Sequence, residues 1–199
     1  MIRAFITVAA LSALVSQPAA AEDDFAQYGV NLGFSPFGIA LNASYNTTEK
    51  TSLTAAIGGA PTGKAPFKPK AIAVEYEVEA GSSWTGFFVN HRPFEDANWF
   101  RVNTGIGFGR IMQSLDDGKG NTYTVNYTEN PVGYFGVGVG LRPVEGFQFG
   151  LDLGALHTGG PTITRTGGDG ADATDDLADS FFFGTPTLPN VQISLGWGF

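Results

Sequence analysis

Val191-Gln192-Ile193-Ser194-Leu195-Gly196-Trp197-Gly198-Phe199 is the stretch that decides the fold. Apolar side chains occupy 191, 193, 195, 197 and 199, and Gln, Ser, Gly and Gly fill the positions between them. A period of two puts the apolar residues on one face of a strand and the small or polar residues on the other. Such a strand separates two unlike environments. In water, Trp and Phe facing out at the end of a strand are costly. In a transmembrane barrel one face of each strand meets lipid and the other meets the lumen.

The same pattern recurs upstream. A first segment, Phe25 to Phe34, carries Tyr28, Val30, Leu32 and Phe34 on one face. The second, Phe37 to Tyr45, turns Phe37, Ile39, Leu41, Ala43 and Tyr45 outward, and the third, Thr51 to Ala60, does so with Leu53, Ala55 and Ile57. The fourth, Ala71 to about Arg92, exceeds the ~9–11 residues that cross a bilayer. Its outer part alternates Ile72, Val74, Tyr76 and Val78 with Glu75, Glu77 and Glu79. Its inner part has ambiguous parity because Phe87, Phe88 and Val89 are consecutive, so a bulge near Gly81-Ser82-Ser83 is expected to reset the register. The fifth, Trp99 to Met112, exposes Phe100, Val102, Ile106 and Phe108. The sixth, Asn130 to Arg142, sets Phe135, Val137, Val139 and Leu141 against Gly136, Gly138 and Gly140. The seventh, Phe147 to His157, exposes Phe147, Phe149, Leu151, Leu153 and Ala155. Val191 to Phe199 is the eighth. Keeping the fourth segment whole gives an even number, as bacterial single-chain barrels have. The expected fold is all-β: an eight-stranded antiparallel up-and-down transmembrane β-barrel. Connections around 46–50, 93–98 and 143–146 are short. On the other side Ser35-Pro36 is short, whereas 61–70, the polar stretch 114–127 and the segment 159–189 are long loops. Short turns on one side and longer loops on the other fit such a barrel.

Composition agrees. Glycine makes up 28 of the 199 residues and 17 are Phe, a mixture that disfavours helices, where each interior Gly costs about 1 kcal/mol. Cysteine is absent, so a hydrogen-bonded sheet rather than disulfides must hold the chain. Arg3, the apolar run from Ala4 to Val15 and Ala19-Ala20-Ala21 form a secretory signal peptide over 1–21. Residues 22–199 are then one barrel domain in the bacterial outer membrane. The net charge of −8 argues against nucleic acid as a partner.

Parity places Gln27, Asn31, Asn42, Arg101, Asn103, Gln148, Asp152, Gln192 and Ser194 on the lumen face. One strand separates Arg101 from Asp152, so the two can meet as a charge pair in the periplasmic half. The pair serves as a gate or as a plug, and the plug is favoured because eight strands enclose only enough room for side chains. Abundant lumen glycine points the other way, to a narrow channel or a binding barrel for a small, apolar molecule. Gly167 to Asp172 fits the start of a calcium-binding nonapeptide repeat, but Thr174 stands where that repeat wants a large apolar residue and there is one copy. No metal site is expected there, and the acidic segment reads as a solvated, flexible loop. Neither His91 nor His157 belongs to a nucleophile–base–orienter set, so no catalytic residue and no cofactor are expected. Tyr45, Trp99, Phe147, Trp197 and Phe199, with Phe25 and Phe94, fall at periplasmic strand ends as an aromatic girdle, and Trp84 and Tyr76 belong at the opposite end or above it.

Ser35-Pro36-Phe37-Gly38-Ile39 after a Gly-rich first strand resembles the opening of the OmpA/OmpW-like small outer-membrane barrels. Phe88-Val89-Asn90-His91-Arg92-Pro93-Phe94, with Phe100-Arg101-Val102 and Gly105-Ile106-Gly107, is similar to the apolar-Asp-Trp-His-Pro-Phe turn and following strand of a proteobacterial group of that kind. Asn90 stands where Asp is common, and His91-Arg92 where Trp-His is common. Tyr134-Phe135-Gly136-Val137-Gly138 and Leu151-Asp152-Leu153-Gly154 match in style. The resemblance implies a fold and no catalytic residues. The partners expected are outer-membrane lipid, lipopolysaccharide and the barrel assembly machinery, reached through the C-terminal strand, with the protein a monomer. The C-terminal stretch itself resembles the targeting strand of outer-membrane barrels.

Overall fold

The computed structural model describes residues 24–65, 68–71, 74–127 and 131–199; the signal peptide expected over 1–21 lies outside them. Eight strands close a barrel: β1 (Tyr28–Ser35), β2 (Gly38–Asn46), β3 (Thr51–Lys64), β6 (Glu77–His91), β7 (Phe100–Asp116), β9 (Val132–Gly140), β10 (Gly146–His157) and β12 (Thr187–Gly198). Each is antiparallel to its neighbours in that order, and β12 returns to β1 with Leu32 opposite Leu195. The alternation dictates the two faces. Val191, Ile193, Leu195 and Trp197 point out and are 41–57% exposed, whereas Ser194 is buried inside. Pro189 is tolerated within β12 because β1 has already ended there and its missing N–H faces no partner strand. At the β1–β2 turn Gly38 takes φ +99° against the Gly59 carbonyl, a conformation and a contact that only glycine allows.

The structure corrects the reading of the long loops. Residues 114–127 are a hairpin rather than a polar loop: β7 continues to Asp116, and β8 (Thr122–Tyr127) pairs back on it. Within 159–189 lie β11 (Thr162–Gly167), which extends the sheet beside β8, and the short helix α1 (Thr174–Ala178). The acidic segment is therefore folded. Arg165 fixes it by donating to Asn121 Oδ1 and to the carbonyls of Gly168 and Gly170 at 2.7–2.9 Å. Tyr76, Leu115, Tyr123, Val125, Tyr127, Leu177 and Phe183 pack together at 0–3% exposure. This apolar core caps the barrel at its long-loop end. Burial holds the phenols of Tyr76 and Tyr127 in their neutral form, the latter's pKa pushed up to about 12.

The fourth predicted strand is not one piece. A two-residue pair, β4 (Lys70–Ala71) with β5 (Val74–Glu75), precedes β6. β6 itself runs without a bulge, pairing continuously with β7 from Glu77 to His91. The extra residue sits on β3, between Ala60 and Gly63, opposite Gly81. Phe88 therefore points inward while Phe87 and Val89 point out. Trp84 also points inward, its Nε1 donating to the Phe37 carbonyl at 3.2 Å, and is no part of an outer aromatic belt. Nor is Tyr76, which lies in the cap core. Phe37 is half-buried against that core instead of facing out.

Candidate functional site

Within the barrel, β7 and β10 flank β9, and this brings two predicted lumen residues together. Arg101 Nε donates to Asp152 Oδ1 at 2.9 Å and Nη2 to Oδ2 at 2.5 Å, a two-point pair between side chains 15% and 6% exposed. Asn103, two residues along β7 on the same face, donates its Nδ2 to Asp152 Oδ1. A fork of this kind fixes both planes, so the pair forms a rigid rung across the inner wall. Asn31 and Asn42 form a second pair between β1 and β2, Nδ2 of Asn42 donating to Asn31 Oδ1 at 2.8 Å. Gln192 lies over Gly33 beside Asn42: a Cβ on Gly33 would stand 2.9 Å from Gln192 Nε2 and 3.1 Å from Asn42 Nδ2. Gln148 donates to the Val144 carbonyl at 3.2 Å. On the facing wall Ser44, Thr54 and Asn90 form a chain of hydroxyl and amide bonds at 2.8–3.0 Å. Gln27 is exposed, its amide within 3.5 Å of the Tyr45 hydroxyl, and does not line the lumen.

The lumen glycines make room for neighbours. Tyr134 lies over Gly136 and Gly154, Phe88 over Gly86 and Gly105, and Arg101 over Gly150. Phe88 and Tyr134 meet edge to face with ring centres 5.6 Å apart. What remains open is a cavity of about 160 Å³, lined among others by Phe37, Trp84, Phe88 and Tyr127 above and by Asn42, Asn90, Arg101 and Asp152 below. Its lining is mixed, apolar rings over a polar base.

At the base of the cavity is a residue that sequence reasoning missed. Arg92 follows directly on β6, is 4% exposed, and donates Nη2 to the Leu141 carbonyl at 2.7 Å. Its Nε and Nη1 have no hydrogen-bond partner among the described residues. The signal was available: Gly86, Phe88 and Asn90 set an inward even parity, and 92 continues it. Nearby, the segment before β1 forms a strap. Ala26, fully buried, donates its N–H to the Pro143 carbonyl at 3.0 Å and accepts from Asn46 Nδ2 at 2.7 Å, and Phe25 bridges to Val144.

Around the short-turn end stand the aromatic residues Tyr45, Trp99, Phe147, Trp197 and Phe199, all outward and 42–57% exposed. Among the described residues no group of three or more His, Cys, Asp or Glu could hold a metal ion. Among the described residues His91 and His157 each approach a threonine hydroxyl, Thr51 at 3.0 Å and Thr187 at 3.1 Å.

The barrel is one already seen in solved structures. Crystal structures of Acinetobacter baumannii CarO and CarO2 each superpose with a TM-score of 0.65 at 12% identity. The match covers 86% of this chain and 97% of CarO, and 88% of this chain and 100% of CarO2. At that identity the likeness is one of fold. No protein-family model matches the chain, and no curated protein matches it, so the resemblance to OmpA/OmpW-like barrels has no further support from sequence.

Proposed function

We propose that the chain is a non-enzymatic integral outer-membrane β-barrel whose lumen is closed and whose capped end makes contacts at the cell surface. The belt of outward Val, Leu, Ile and Phe supports the membrane reading, because an apolar surface running round a whole barrel is unstable in water. The likeness in fold to CarO, an outer-membrane barrel, supports the location. Closure is supported by two observations: the Arg101–Asp152–Asn103 rung projects into the lower lumen, and the Tyr123–Phe183 core packs at the other end. Lipid and lipopolysaccharide would surround a single copy of the chain, and the exposed Trp197 and Phe199 are the residues offered to the assembly machinery. The test is conductance of purified protein in a planar bilayer. Silence across repeated insertions is the expected result; reproducible unitary openings overturn the closed reading.

A second reading is favoured by the cavity between rung and cap. Its about 160 Å³ would hold a small amphipathic molecule, with Trp84 and Phe88 against its apolar part and Asn42 and Asn90 against its polar part. Saturable quenching of Trp84 fluorescence by such a molecule would distinguish a binding barrel from a filled one.

A further inference from the structure

We propose that the floor of the lumen at Arg92 is a binding site for a small oxyanion, a carboxylate or phosphate group. The argument begins with charge. A guanidinium removed from water needs an anionic partner or a full set of acceptors. Arg92 is 4% exposed and has one acceptor, the Leu141 carbonyl on Nη2. Its Nε and Nη1, which between them carry the rest of the donors outside Nη2, face no protein acceptor among the described residues.

Among the described residues, the charged side chains that act on Arg92 are Arg101, which repels it, and Asp152. Asp152 is already committed: both of its oxygens receive Arg101, and Oδ1 receives Asn103 as well. The described residues here thus hold two guanidinium groups and one carboxylate, an excess of one positive charge in a buried place. Arg92 lines the cavity together with Ser52, Asn90 and Asn103, which offer neutral hydrogen-bonding groups around the same space. An oxyanion set against Arg92 cancels the excess charge, and the side chain turns its free donors, which the surrounding protein encloses, to meet it. A cation would add to the repulsion, and a neutral apolar molecule would leave the donors unpaired.

The experiment uses the whole protein folded in detergent, with folding monitored by gel migration of unheated samples. Sodium acetate and sodium phosphate are titrated separately by calorimetry, each in competition with the other, and tetramethylammonium chloride serves as the ionic-strength control. Saturable binding of acetate or phosphate is expected, and which of the two binds tells the carboxylate from the phosphate. That binding is expected to be lost in Arg92→Met and retained, weaker, in Arg92→Lys. Because Arg92→Met can fail to fold, a second variant, Ser52→Asp, builds a carboxylate into the same floor. It is expected to raise the melting temperature and abolish anion binding. Absence of binding to the folded wild type overturns the proposal, as does undiminished binding in folded Arg92→Met or in Ser52→Asp. Conductance of the same preparation is read separately, so an open lumen would refute closure without touching the anion site.

Discussion

Replacing Asp152 by Ala tests whether the rung along the inner wall holds the barrel together. The change deletes the carboxylate that accepts both the Arg101 fork and the Asn103 amide. Arg101 would then be a guanidinium with 15% of its side chain exposed and no carboxylate. Removing one member of a buried pair typically costs about 3–5 kcal/mol, chiefly because the surviving charge stays buried. Two features pull the figure to the lower end. Arg101 borders the cavity, where water can reach it, and Asn103 Oδ1, now without a partner, can turn to accept from it. A loss of about 3 kcal/mol is expected, which is roughly 100-fold in the folding equilibrium. The double change Arg101→Met with Asp152→Leu removes both charges at similar volume and should recover most of the loss. Urea unfolding in phospholipid vesicles, followed by tryptophan fluorescence and by gel migration, gives the three free energies. An Asp152→Ala loss below about 0.5 kcal/mol, the range of ordinary surface changes, would refute the view that this pair is a buried structural rung. A double variant no better than Asp152→Ala would refute the charge argument specifically.

Two further outcomes are expected. Leu195→Arg places a charge on the outward row of β12, where Leu195 faces Leu32 and Phe149 across its neighbours; on a lipid-facing strand it should cost about 2–4 kcal/mol in vesicle folding, and a neutral result would sink the membrane reading. Tyr123→Ala removes a fully buried ring from the cap core and should cost that core about 3–5 kcal/mol, exposing 159–186 to added protease while the barrel strands stay protected; unchanged proteolysis would show that the cap does not depend on this packing.

Strand order and inward or outward parity were legible because a barrel wall imposes one rule on every residue, and Val191–Phe199 or Tyr28–Phe34 obey it without exception. Arg101 and Asp152 could be paired from the same rule, since parity and strand adjacency together fix which side chains share a height. The cap was illegible for a different reason. Thr122-Tyr123-Thr124-Val125-Asn126-Tyr127 does alternate, but it is short and flanked by Asp, Gly and Asn, and its partners Tyr76, Leu177 and Phe183 are distant in sequence. Packing between remote segments leaves no periodic trace. The bulge illustrates the limit of one-strand reasoning: the irregularity at Gly81 was detectable in β6, but the extra residue that causes it is on β3. At Arg92 a turn-like Arg-Pro pair concealed a parity that had not yet ended.

The pairing of β1 with β12 joins Gly29 to Gly198, and the backbone of Tyr28 exchanges two hydrogen bonds with Phe199, at 2.8 and 2.9 Å. The seam therefore unites nearly the most separated residues the fold contains. Loop-closure entropy is greatest there, and no local hairpin can prepay it. Until Phe199 arrives, both β1 and β10 present long rows of unpaired N–H and C=O groups beside apolar faces, the template on which chains stick to one another. A chain missing its final strand is thus expected to aggregate as a nearly complete sheet, and the zipping of this one seam is expected to be the slowest step of assembly.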